Sequence, residues 1–154
     1  MYRYHLERRW DRTKPAQVFI MLNPSTADAN LDDPTIRRCI SFAKREGAGG
    51  IYVVNLFAFR ATNPADLLSA ENPTGADNAK AIGDALLVAR IYKTYPIAAW
   101  GSHAIARTQA IELARRARDF GTKLVCLGVT KDGSPRHPLY VKGDAPLIEW
   151  RPRP

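Results

Sequence analysis

The sequence predicts an α/β fold, a three-layer α/β/α sandwich with a mainly parallel, four-stranded central sheet and added edge strands. Three observations lead there. Four short apolar runs, at 18–22, 51–56, 97–100 and 123–127, are continuously hydrophobic rather than alternating, as strands covered on both faces are. Segments with helical spacing lie between them, so strand and helix alternate, which calls for parallel strands joined by right-handed crossovers. The length of 154 residues and a hydrophobic share of 45% suit one compact domain over residues 1–154.

In chain order, "YRYHLERRW" reads as an added edge strand and 18–22 as the first central strand. "DDPTIRRCISFAKREGAGG" follows as a helix, with Asp33 as N-cap, Pro34 at the first helical position, and Gly47, Gly49 and Gly50 as the stop. After strand 51–56, a second helix over about 77–92 stripes Ile82, Ala85, Leu86 and Ala89 along one side. Strand 97–100 ends at Gly101, and Ser102 reads as the N-cap of a third helix reaching about 120. Ile105, Ala106, Ile111, Leu113 and Ala114 are its apolar positions, while Arg115, Arg116 and Arg118 complement the dipole near its end. Strand 123–127 and a terminal edge strand in "APLIEW" complete the order.

The formal net charge of +8 and a pI near 9.8 favour polyanionic partners such as nucleic acid or nucleotides, although a solvated basic surface gives the same numbers. Cys39 and Cys126 lack metal-site spacing and read as buried thiols in a reducing compartment. The charged N-terminus has no apolar signal core, and no apolar run approaches the ~20 residues that span a bilayer. The expectation is a cytoplasmic protein with no membrane partner and no cofactor.

Open parallel sheets place their sites at the C-terminal ends of the strands. That selects "NPSTADAN", "NLFAFRATNP", "WGSHA" and "LGVTKDGSPRHPLYV". In the first, Pro24 holds Asn23 extended at the sheet edge, where its carboxamide could orient a water or read a hydrogen-bonding edge; a local Asx turn is the alternative. Asp28, Asp32 and Asp33 could suggest a cation, but Asp33 is better used as a cap. In the second, Asn55, Phe57 and Arg60 supply an edge reader, a stacking face and a phosphate partner, unless the phenylalanines are core. In the third, Gly101 and Ser102 form an amide-rich anion site, with His103 either in it or merely at the surface. In the fourth, His137 could donate to charge on a leaving group while Lys131 and Arg136 hold phosphates, or serve only as a turn residue. No nucleophile elbow, P-loop or dinucleotide fingerprint occurs.

"YRYHLERRW", "MLNPSTAD", "DDPTIRRC", "NLFAFRATNPADL", "AAWG" and "TKDGSPRHPLYV" together closely resemble a mainly bacterial family known as domain of unknown function 1643, a resemblance that spans nearly the whole chain and brings no established activity. More distantly, the order of motifs resembles the uracil-DNA glycosylase superfamily. On that resemblance "MLNPS" makes Asn23 the residue that orients the hydrolytic water, with Pro24 and Ser25 beside it. "VVNLFAFR" makes Asn55 the contact to a flipped base, and "RHPLY" makes His137, with Pro138, the support of the leaving base. Ser25 and Leu139 depart from that superfamily's glycine and serine.

The resulting expectation is a DNA glycosylase-like hydrolase of N-glycosidic bonds acting on a modified or damaged base. The substrate would be nucleic acid, DNA ahead of RNA, or a free nucleotide. The alternative is a non-catalytic module that recognises a modified base or nucleotide in phage defence or nucleic-acid metabolism. The oligomeric state is left open.

Overall fold

The computed structural model describes residues 1–28 and 30–154; Ala29, in the loop expected after the first central strand, lies outside them. Six strands, β1 (Leu6–Arg9), β2 (Ala16–Met21), β3 (Gly50–Asn55), β4 (Ile97–Ala98), β5 (Leu124–Cys126) and β6 (Ile148–Trp150), form one sheet in the order β1-β3-β2-β4-β5-β6. β2 pairs in parallel with β3 and β4, and β4 with β5. The edge strands β1 and β6 run antiparallel to β3 and β5.

Helices α1 (Pro34–Arg45), α2 (Ala65–Ser69), α3 (Asn78–Ile91) and α4 (Ala106–Asp119) flank this sheet, making a mixed α/β sandwich. The alternation of side chains along β2 shows why both faces must be covered. Val18 and Ile20 enter one buried cluster with Leu86 of α3 and Leu113 of α4. Phe19 and Met21 enter the other with Ile36, Cys39 and Phe42 of α1. Each such side chain removed from water contributes about 1.5–3 kcal/mol, so a strand buried on both faces is hydrophobic throughout.

Helix α1 starts as its sequence implies: Asp33 is extended and its Oδ1 accepts from the Ile36 amide at 2.8 Å. Gly47, at φ +78°, provides the stop. Gly49 and Gly50 do something else. A Cβ at Gly49 would lie 2.0 Å from the Asp11 carbonyl oxygen, and one at Gly50 would lie 2.4 Å from that of Arg8. These two glycines let β3 begin hard against the turn that follows β1. The third long helix also differs from its expected start. Ser102 does not cap it; α4 begins at Ala106, and Ile105 in the capping position makes no side-chain bond. Ile111 is exposed, and the buried stripe runs through Ala106, Ala110, Leu113 and Ala117.

After β2 the chain crosses through α1 to β3 on one side, and β4 then returns to the other side of β2. Such a reversal opens a crevice at the carboxyl ends of the strands. Among the described residues no helix is long and apolar enough to cross a membrane.

Candidate functional site

A cavity of about 640 Å³ opens at this edge. Its walls come from the ends of all four parallel strands: Asn23 and Ser25 after β2, Asn55 at the end of β3, Trp100 to His103 after β4, and His137, Leu139 and Tyr140 after β5. Asp33, Thr35 and Ile36 at the start of α1 and Arg3 from the N-terminal segment close it.

Asn23 donates both amide hydrogens to backbone, to the Pro24 carbonyl at 2.9 Å and the Ala61 carbonyl at 2.8 Å. Its Oδ1 is the end left with acceptor capacity. Pro24 is buried, and its carbonyl also accepts from the Ala61 amide, so the two loops that carry Asn23 and Arg60 are laced together. Asn55 is 1% exposed, and its Nδ2 is buried without a partner. A lone buried donor costs about 1–3 kcal/mol, so its presence in a cavity wall marks a place where a ligand acceptor would be welcome.

Asn78, at the first position of α3 and fully buried, fixes that end of β3. Its Nδ2 reaches the carbonyls of Asn55 at 2.9 Å and Leu56 at 3.1 Å, substituting for a neighbouring strand where the chain has run past β1. His137 Nδ1 accepts from the Leu139 amide at 3.2 Å and caps the 3₁₀ turn Pro138–Tyr140. The neutral imidazole therefore carries its proton on Nε2 and is a donor there. Burial lowers its pKa below the usual histidine value, against a smaller opposing pull from Asp33. His103 is held similarly, with Nδ1 facing the Ile105 amide at 3.4 Å.

Gly101, at φ +79°, turns the chain out of β4, and its amide bonds the Pro135 carbonyl at 2.9 Å, tying the β4 loop to the β5 loop. Trp100 packs edge-on against Trp150, with ring centroids 5.0 Å apart, and Trp150 is itself anchored by Nε1 to the Gly133 carbonyl. A second groove of about 370 Å³, with Arg107 and Arg153 in its walls, shares Trp100, Ser102 and His103 with the first.

Asn23, Ser25, Asn55, Gly101, Ser102 and His137 thus meet in one cavity. Six other expected residues stand outside its walls. Phe57 is 4% exposed and belongs to the core, because the side chain packs with Leu22, Leu56 and Leu67. Arg60 is turned onto the backbone of the loop after β2, bonding Ser25 and Ala27 carbonyls. Arg136 lies against Gly128 and lines an adjoining groove that shares Tyr140 with the cavity, and Lys131 is exposed with its carbonyl taken by Arg153. Pro24 and Pro138 are buried and shape the loops beneath the wall. Nor do the three aspartates gather: Asp28 bonds the Asn30 and Leu31 amides, Asp32 pairs with Arg8 at 2.7 Å, and Asp33 caps α1.

Sequence reasoning missed Arg3, Thr35, Trp100, Tyr140 and Asn78. Trp100 had a usable signal, since it directly precedes the strand-ending Gly101. Arg3 had none; it reaches the site only because the N-terminal segment runs beside the chain after β3, with its amide on the Ala58 carbonyl and Tyr2 bridged to Phe59.

The model of a family described as protein of unknown function, DUF1643, matches residues 3–139. The chain belongs to that family. The match takes in every side chain named above as lining the cavity, except Tyr140. Comparison with curated proteins and with solved structures gives no match.

Proposed function

We propose that this DUF1643 protein recognises a nucleobase in the cavity and hydrolyses its N-glycosidic bond, acting on a modified or damaged base in nucleic acid, DNA ahead of RNA, or in a free nucleotide. One observation carries the proposal: Asn23, Asn55 and His137, from three different strand ends, converge on one concave site walled by Trp100. The distant resemblance to the uracil-DNA glycosylase superfamily supplies the same three positions.

In this scheme Asn55 Nδ2 donates to the edge of the base, and Trp100 supplies the apolar wall first assigned to Phe57. The bond from the sugar C1′ to the base nitrogen breaks with its electron pair leaving on the base. His137 Nε2–H donates a hydrogen bond to that developing charge. A water that donates a hydrogen bond to Asn23 Oδ1 forms the new C1′–O bond through its oxygen, and its proton passes to solvent or to the departed base. An amide is too weak a base to deprotonate water early, so bond breaking runs well ahead of attack and turnover is slow.

A second reading, a binding module without turnover, is favoured by Asp33. It is the one carboxylate among the cavity walls described, and both of its oxygens accept backbone N–H groups, from Ile36 at 2.8 Å and Ala27 at 3.3 Å. The carboxylate that a water-activating site would use is thus committed to fixing the backbone at the start of α1.

The test is incubation with labelled single- and double-stranded oligonucleotides bearing uracil, hypoxanthine, hydroxymethylated or mismatched bases, reading gel shift and alkali-sensitive cleavage together. The expected result is cleavage of one lesion, reduced roughly a hundredfold or more in Asn23→Ala with binding retained. Binding without cleavage would establish the module instead. Cleavage unchanged in Asn23→Ala would remove Asn23 from the scheme.

A further inference from the structure

We infer that the cavity takes a ligand carrying a phosphate group, and that Arg3 is the residue on which the phosphate docks. Arg3 lines the cavity and is only partly accessible. Among the described residues its one side-chain hydrogen bond runs from Nη1 to the Ala27 carbonyl, and its Nε is sealed without any partner. It forms no ion pair among those residues. Asp33 favours the charge of Arg3 without pairing with it, and its two oxygens hold the Ile36 and Ala27 amides.

A second cation aggravates the imbalance. Arg60 Nη2 bonds the same Ala27 carbonyl at 2.7 Å, so two guanidinium groups converge on one oxygen and repel each other. A guanidinium stays charged under all ordinary conditions, and a partly buried one that Asp33 and Asp28 offset only through space, without an ion pair, is costly. The guanidinium donors not held by the Ala27 carbonyl suit a tetrahedral oxyanion. Thr35, in the first turn of the twelve-residue helix α1, lines the same cavity and adds a hydroxyl donor at the positive end of the helix dipole. The unpartnered Nδ2 of the buried Asn55 is an independent sign that a ligand enters here.

The choice of phosphate over another oxyanion rests on the base-recognition reading; the anion site itself does not. Phosphate could come from a free nucleotide or from a strand phosphodiester, whose chain would continue along the neighbouring groove past Arg107 and Arg153.

The experiment compares thermal unfolding of the wild-type protein and of Arg3→Gln in inorganic phosphate and in sodium chloride of equal ionic strength. Calorimetric titration with a nucleoside, its 5′-monophosphate and a dinucleoside phosphate follows. Phosphate should raise the wild-type melting temperature and leave Arg3→Gln unmoved. The monophosphate should bind the wild type roughly ten- to a hundredfold more tightly than the nucleoside, an advantage lost in the variant. A dinucleoside phosphate matching the monophosphate would identify a strand substrate, and monophosphate alone a free nucleotide. No phosphate shift in the wild type, or an equal shift in Arg3→Gln, overturns the inference. Should Arg3→Gln fail to fold, phosphate protection of Arg3 from phenylglyoxal in the wild type, read by peptide mass, decides: protection supports the site and unhindered modification rejects it. A phosphate shift without lesion cleavage leaves the anion site standing and removes the glycosidase; cleavage without the shift does the reverse.

Discussion

His137 is held by its own backbone neighbourhood, with Nδ1 taken by the Leu139 amide, so its useful nitrogen is the protonated Nε2. Burial lowers its pKa from the usual 6.5. The unfolded chain therefore binds a proton more readily than the folded one between that lowered value and 6.5. Stability is fully present above 6.5 and falls as pH drops through this window. His137→Gln should flatten that fall, which thermal unfolding at about pH 7.5 and about pH 5.5 would show; an unchanged pH dependence would assign it to other groups. At this scale the sequence was readable where a side chain stands at or just past a strand end, as Asn55 and Asn23 do, and where prolines mark a loop, as around His137, eleven residues beyond β5. It was silent where a residue acts through a distant fold neighbour. Asn78 clamps β3 through two carbonyls more than twenty positions earlier, and nothing in "GADNAK" announces it.

The elements themselves were legible because propensity, capping and burial agree: Asp33 and Pro34 open α1, and Ile82, Ala85, Leu86 and Ala89 of α3 are all buried. Glycine was ambiguous, since a helix stop and a close backbone approach call for the same residue. Of Gly47, Gly49 and Gly50, Gly47 alone has the positive φ of a stop; Gly49 is needed for space beside Asp11 and Lys14. Gly49→Ala should thus destabilise the fold by about 1–3 kcal/mol, because backbone rather than a flexible side chain must move. Chemical denaturation checks this, and a change below about 0.5 kcal/mol would mean the turn after β1 yields easily. The start of α4 was misplaced because a serine after glycine looks like a cap. In the fold, 102–105 is instead cavity wall and turn, with the Ala106 amide on the His103 carbonyl and the Arg107 amide on that of Ala104. Helix α2 is a single short turn anchored by Leu67 and is too brief to show a period.

For the molecule as a whole, the cavity is assembled from chain positions as far apart as Arg3 and Tyr140, so it exists only once β1, α1 and the four parallel strands are in place. Sequence could indicate the edge of the sheet where a site is expected, because alternating strands and helices imply parallel strands whose carboxyl ends share one edge. It could not indicate which cation would arrive from the far end of the chain. One bond in this assembly also offers a clock. The Gly101 amide is held by the Pro135 carbonyl, between two loops rather than inside the sheet. Its deuterium uptake will record each separation of those loops, while the amides of β2 at the sheet centre exchange only when the fold opens globally. Native-state exchange should find Gly101 faster than Ile20 without ligand and slowed by any compound that bridges the two loops. Equal rates would mean that these two loops part only with the entire domain, and that the cavity they wall keeps one fixed shape for as long as the fold lasts.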